Sequence, residues 1–143
     1  MPPTPPLTHH ICFALYSANL AMTALYKRLL DPLGLTYPQF ITLVLLWSQD
    51  GQTVGALGRQ LHLESNTMTP LLKRLETAGL VQRKRNGADE RQVHVCLTDH
   101  GRALQAQAGD IPACIMAATG LAATDLSDLT ASVATLRDRL LTP

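Results

Sequence analysis

A mainly α-helical chain with one small β-hairpin is the fold class that the sequence predicts, on three observations. Apolar residues recur at intervals of three and four along most of the 143 residues, and the period changes to two only between residues 80 and 97. The composition, 46% hydrophobic but 16% charged and 4% aromatic, suits packed amphipathic helices better than a strand-rich sandwich. A chain of this length buries roughly 68 to 70% of its unfolded surface as one domain, so 1–143 is expected to be a single domain.

After the leader Met1-Pro2-Pro3-Thr4-Pro5-Pro6, the stretch from Thr8 to Leu30 lacks Gly and Pro and sets Ile11, Leu15, Ala18, Met22, Leu25 and Leu29 on one helical face. It reads as a long first helix. Asp31-Pro32-Leu33-Gly34 ends it, because Pro restricts the residue before it and Gly tolerates positive φ. A second helix starts near Thr36, with Pro38 in its first turn and a stripe of Phe40, Leu43, Val44 and Trp47, and breaks at Gln49-Asp50-Gly51. Two short helices follow: Thr53 to Leu61, capped by Thr53, and Ser65 to Thr77, with Ser65 as the cap and Gly79 as the stop. Gly55 and Gly58 each cost the first of these roughly 1 kcal/mol against alanine, so it should lean on tertiary packing.

The join His62-Leu63-Glu64 is short, and the helix after it is polar at its start and apolar along Met68, Leu71, Leu72 and Leu75. That is a helix-turn-helix pattern. Leu80 to Arg85, a turn at Asn86-Gly87, and Gln92 to Leu97 then alternate as a β-hairpin. Thr98-Asp99 can cap a helix running to about Gly109, and Pro112 marks a break or the first turn of a continuation. Thr124 to Leu141 closes the chain as an amphipathic helix through Leu126, Leu129, Val133, Leu136 and Leu140.

The net charge of +1 hides an asymmetry: Arg59 to Arg91 holds seven basic and four acidic residues. Within Lys73 to Arg85, Lys73, Arg74, Arg83, Lys84 and Arg85 face Glu76 alone. No apolar run reaches the roughly 18 to 20 residues of a membrane span, and the leader has no basic and apolar regions of a signal peptide. The expectation is a soluble, cytoplasmic protein with no membrane partner. Three cysteines, Cys12, Cys96 and Cys114, are too dispersed for a disulfide framework or a Cys-x-x-Cys metal site. His9 and His10 project on different sides with no further ligand in sequence reach, and no phosphate loop, nucleophile elbow or paired carboxylates appear. Neither a metal nor a cofactor is expected, and a catalytic enzyme has little support.

A hairpin directly after a helix-turn-helix is a wing, and here it carries the basic cluster. Ser65, Asn66, Thr67 and Thr69 stand on the first turns of the second helix, where hydroxyls and amides reach base edges and phosphates. Lys73 and Arg74 follow, and Arg83 and Arg85 lie on the wing. Each residue alone could be a cap or a solvated charge; their joint placement points to double-stranded DNA.

These segments carry a resemblance. Leu63-Glu64-Ser65-Asn66-Thr67-Met68-Thr69-Pro70-Leu71-Leu72-Lys73-Arg74-Leu75-Glu76, Gly79-Leu80-Val81, Ala88-Asp89-Glu90-Arg91-Gln92-Val93 and Leu97-Thr98-Asp99-His100-Gly101 resemble the MarR family of winged helix-turn-helix transcription regulators, from Ile11 to Leu141. The resemblance implies a homodimer on a palindromic operator, with dimerisation helices at 7–32 and 100–143 around a winged helix-turn-helix at 35–98. It also implies that Asp89 positions the wing and that Arg91 supports minor-groove binding. One departure is Thr53-Val54-Gly55-Ala56, where relatives often carry an acidic residue at the fourth position to close a capping box.

Cys12 lies in Ile11-Cys12-Phe13-Ala14-Leu15-Tyr16-Ser17, and Tyr16, Asn19, Thr23 and Tyr26 fall near its helix face. Tyr26 is 14 residues on, roughly 21 Å along a straight helix, so it cannot touch Cys12 of its own chain. An antiparallel partner helix would bring it back. Phenol hydroxyls donating to sulfur favour the thiolate, the nucleophile that attacks a peroxide oxygen.

The Cys12 segment and Leu35-Thr36-Tyr37-Pro38-Gln39 are similar to the organic-hydroperoxide-sensing OhrR branch of that family. The similarity implies a reactive Cys12 reached by Tyr26 and Tyr37 of the other subunit, with Tyr16 as a pocket wall or secondary donor. It also implies that an oxidised Cys12 is resolved either by a low-molecular-weight thiol or by a C-terminal cysteine of the partner. Cys114 is the candidate for the second route, although relatives keep theirs nearer the position of Ala117. Cys96, among Val93, Val95 and Leu97, reads as structural. The leading expectation is a repressor that releases its operator when organic hydroperoxide oxidises Cys12. The alternatives are a regulator released by a small aromatic ligand in the dimer cleft and a thiol peroxidase using Cys12.

Overall fold

The computed structural model describes residues 1–86 and 89–143, with the backbone alone at 86 and 89–91. Two compact units form, 1–108 and 109–143.

In the first unit, α1 spans Ile11–Leu30, preceded by a 3-10 turn at Leu7–His9, so the first helix begins three residues later than the Gly- and Pro-free stretch suggests. Its expected apolar stripe is divided. Only its C-terminal end enters the core, through Leu30, whereas Ile11 is 61% exposed and Leu15, Leu20 and Met22 are also exposed. Gly34, at φ 69°, closes the Asp31–Leu33 turn. α2 (Tyr37–Ser48) opens with a capping box: Thr36 Oγ1 accepts from Gln39 N, and the Gln39 side chain accepts from Thr36 N. Its buried face is Phe40, Thr42, Leu43 and Leu46. Val44, expected in that stripe, is instead 42% exposed. Leu46 takes the inward place, at three residues from Leu43, and Thr42 satisfies its buried hydroxyl on Pro38 O at 2.7 Å.

A strand absent from the sequence expectation, β1 (Gln52–Thr53), precedes α3 (Val54–Leu61) and α4 (Ser65–Thr77). β2 (Val81–Asn86) and β3 (Asp89–Leu97) form the expected antiparallel hairpin, and β1 adds to its other side in the order β1-β3-β2, pairing Gln52 with Val95 and Thr53 with His94. Two residues are too few to show a period, so β1 left no trace in the sequence pattern. The turn expected at Asn86-Gly87 lies outside the described residues. Leu43, Leu46, Leu57, Met68, Leu72, Leu75, Val81 and Val95 are fully buried between these elements.

Thr53 caps α3 as expected, accepting from Ala56 N at 3.0 Å. Ser65 does not cap α4: the cap position is Glu64, without a side-chain bond, and Ser65 is the first helical residue, its carbonyl accepting from Thr69 Oγ1 at 2.9 Å. Gly79, at φ 75°, ends the helix as expected. Gly58 proves to be a requirement rather than only a cost. A Cβ there would stand 2.8 Å from the Leu63 carbonyl oxygen, so the tight turn into α4 needs glycine.

α5 (Asp99–Ala108) begins on a dense junction. Thr98 Oγ1 accepts from Gly101 N at 3.0 Å and donates to Gly79 O at 2.6 Å, while Thr98 N donates to Leu80 O at 3.0 Å. Trp47 Nε1 donates to Gly101 O at 2.9 Å, and Asp50 Oδ1 accepts from Leu97 N at 2.8 Å. Arg102 bridges Asp50 at 3.5 Å and Asp99 at 2.9 Å. In the second unit, α6 (Ile111–Thr119) takes Pro112 in its first turn and stops at Gly120, at φ 67°. α7 (Ala123–Leu141) buries none of its residues: Leu129, Val133 and Leu140 are all exposed.

Candidate functional site

Two clusters of predicted residues occupy the first unit. On α4 the apolar residues Met68, Leu71, Leu72 and Leu75 face the core, which turns Ser65, Asn66, Thr67, Thr69, Lys73 and Arg74 outward to solvent. Pro70 stands inside the helix and offers no N–H to the Asn66 carbonyl.

Arg83 and Arg85 are exposed on β2. Arg83, however, is held by α4: its backbone N and its Nε donate to Glu76 Oε2 at 3.1 and 3.2 Å. Charge counting could not foresee that pair, because a spacing of seven crosses from helix to strand. The two bonds from Arg83, first side chain and then backbone, hold the Glu76 carboxyl below its ordinary value of 4.5. This clasp is thus intact above pH 4.5 and is lost as pH falls through the lowered value. In an NMR titration of the side-chain carboxyls, Glu76 should titrate below 4.5 in the wild type and return to the ordinary range in Arg83→Ala. The side chains of Asp89 and Arg91 lie outside the described residues.

A cleft of about 460 Å³ separates α3 and α4 from the wing, lined by Thr53, Gly55, Arg59, Thr69, Arg83 and Gln92 among others. The sequence alone gives Thr53, Arg59 and Gln92 no site role. Arg59 sits one helix away from the basic run, and only the fold brings it to the wing.

The second cluster is aromatic. Tyr26 and Tyr37 pack with ring centroids 4.6 Å apart, and Phe40 stands 6.1 Å behind Tyr26. The two tyrosines line a cavity of about 280 Å³ with Thr23, Leu30, Leu35 and Pro38. Burial, and after it the neighbouring Tyr37 phenol, raise Tyr26 above its usual value of 10.0, so its hydroxyl stays protonated and able to donate.

Cys12 is exposed at the far end of α1, in a helix continuous from Ile11 to Leu30. The 14-residue rise of roughly 21 Å therefore stands between it and Tyr26 of the same chain. Tyr16, one turn from Cys12, is exposed and packs on Phe13 with centroids 6.4 Å apart. Cys114, in the second unit, is an exposed free thiol, and Cys96 on β3 is half-buried. The structure thus brings Tyr26 to Tyr37 but not to Cys12.

With that geometry in hand, the comparisons with known proteins converge. Residues 24–107 match the family described as transcriptional regulator SarA/Rot. The chain is 44% identical over 134 residues to the organic hydroperoxide resistance transcriptional regulator of Bacillus subtilis, covering 94% of this chain and 91% of that one. It is 42% identical to the HTH-type transcriptional regulator TtmR of Methylorubrum extorquens, covering 94% and 69%. Among solved structures it is similar to AbfR of Staphylococcus epidermidis, whose reduced, DNA-bound form superposes with a TM-score of 0.80 at 33% identity over 96% of both chains. That protein is also known in an overoxidised form bound to DNA and in a disulfide form.

Proposed function

The chain belongs to the SarA/Rot family of winged-helix transcriptional regulators, akin to the MarR type, and from that premise we propose that it is a homodimeric repressor released from its operator by organic hydroperoxides. The observation that carries the reading is the separation of Cys12 from the tyrosine pair. An exposed thiol stands at one end of α1, and toward the other end Tyr26, its hydroxyl protonated, packs on Tyr37 of α2, an arrangement that becomes a site when a second copy lies antiparallel.

The exposed apolar residues of α1 and α7 support a dimer, since such surface in a soluble chain marks an interface. On this reading 1–143 is one functional unit, with dimer helices at 7–32 and 100–143 around a winged helix-turn-helix at 35–98. Among the described residues no single helix is long and apolar enough to cross a membrane, in keeping with a cytoplasmic regulator.

The chemistry balances without an enzyme's turnover. The Cys12 thiolate attacks a peroxide oxygen, the O–O bond breaks, a sulfenic acid forms, and the alkoxide takes a proton to leave as an alcohol. Condensation with a thiol, from Cys114 of the partner or a small cellular thiol, then gives a disulfide and water. One peroxide is consumed per subunit. On the DNA side, Ser65, Asn66, Thr67 and Thr69 enter the major groove, Lys73, Arg74, Arg83 and Arg85 meet phosphates, and Asp89 and Arg91 serve the wing.

The test is binding to a palindromic duplex with half-sites about one turn, roughly 34 Å, apart. If each subunit neutralises about five phosphates, log K should fall with log salt at a slope near −9. One equivalent of organic hydroperoxide should then abolish binding. Binding by a monomer, salt-insensitive binding, or binding indifferent to peroxide would each count against the proposal.

A further inference from the structure

The cleft between α3, α4 and the wing is lined by two arginines whose situations differ. Arg83 is clasped by Glu76, whereas Arg59, exposed on α3, has no carboxylate partner among the described residues. Its guanidinium lies back toward the first turn of its own helix, with one nitrogen 3.4 Å from where a Cβ on Gly55 would stand. A cation over a helix N-terminus is opposed by the macrodipole. An anion placed between the two would satisfy both the guanidinium and the amides at the start of α3 that the Thr53 cap leaves over.

The topology says which anion passes there. A recognition helix in a major groove and a wing in the adjacent minor groove are separated on the duplex by one sugar-phosphate strand, and that strand must cross between them. The cleft is the gap between those elements, and its rim carries further polar side chains in Thr53 and Gln92 that can donate to a phosphate. We propose that this cleft seats the DNA strand between the two grooves, with Arg59 binding a phosphate so as to fix register without reading sequence. The proposal rests on the DNA-binding reading above.

A duplex selected by the wild-type protein from a randomised pool is the probe, and affinity is measured as a function of salt. Arg59→Ala should reduce the slope of log K against log salt by about 0.9 for each phosphate left unneutralised, about 1.8 for a dimer. It should also weaken binding about tenfold or more near 0.1 M salt while selecting the same sequence. Arg59→Lys should restore most of the slope, which a purely structural role of the guanidinium over Gly55 would not. Asn66→Ala should do the converse, changing the selected sequence and leaving the slope in place. Wild-type binding with an unchanged slope in Arg59→Ala overturns the assignment of the cleft alone. Failure of the wild type to select any duplex overturns it together with the DNA-binding reading.

Discussion

Cys12→Ser is expected to bind its operator within about twofold of the wild type, as surface substitutions change stability by only about 0.5 kcal/mol, and to lose release by organic hydroperoxide altogether. Cys12 is exposed within one chain, and serine differs from it only in the atom that a peroxide attacks, so affinity and response separate. A Cys12→Ser protein that still leaves DNA on treatment would sink the sensor. Tyr26→Phe and Tyr37→Phe should retain release but slow it. On the proposed mechanism each deletes a hydrogen bond to a charged acceptor worth about 1.5 to 3 kcal/mol, or roughly 10- to 160-fold in rate. Stopped-flow oxidation of the two variants measures this directly, and unchanged rates in both would remove the pair from the mechanism. Non-reducing electrophoresis after one equivalent of peroxide then distinguishes the resolving thiols. A covalent dimer that disappears in Cys114→Ser assigns the bridge to Cys114, and a monomer carrying a small-thiol adduct assigns it to the cellular pool.

Gly101→Ala should be the most damaging alanine substitution among the described glycines. Helix propensity favours the substitution by about 0.8 to 1.0 kcal/mol, yet the new Cβ would overlap the Leu80 carbonyl oxygen and press on the Leu97 side chain, 3.2 Å away. The carbonyl cannot yield easily. Leu80 O is bonded to Thr98 N and lies at the root of the hairpin, and the opposite side of Gly101 is held by Trp47. Overpacking against backbone outweighs the propensity gain, and we expect a net loss of roughly 2 to 4 kcal/mol in urea unfolding. Gly55→Ala, whose Cβ meets only the flexible end of the Arg59 side chain, is the control and should gain up to about 1 kcal/mol. A stabilised Gly101→Ala would show that the junction is looser than it stands.

Those glycines illustrate what the sequence could and could not reveal. The helices, the hairpin and both halves of the helix-turn-helix were legible because periods of 3.6 and 2 are written over many residues, and Gly34, Gly79 and Thr53 punctuate them by local chemistry alone. Gly55 and Gly58 look equivalent in sequence, since what distinguishes them is a carbonyl of the following turn. The cap of α4 falls one residue earlier than expected because Ser65 satisfies the composition rule while the chain enters the helix at Glu64. The stripe on α1 is periodic as expected, but period does not say what will cover a face, and most of it stays uncovered within one chain. At the site, Cys12, Tyr26 and Tyr37 stand out by type and spacing. The Glu76–Arg83 clasp and the position of Arg59 depend on how a strand folds back over a helix, and no local pattern encodes that.

The junction under α5 has a mechanical consequence. With Gly101 against Leu80, Trp47 and Thr98 bonded to either side and Arg102 anchored on Asp50, α5 leaves the winged unit with no hinge at its base. It behaves as a tiller. Its ten residues make a rod of about 15 Å. Pushing the Ala108 end sideways by about 3 Å turns such a rod, and whatever is fixed to its base, by about 11°. A push too small to break any helix is therefore enough to turn the winged unit as a whole.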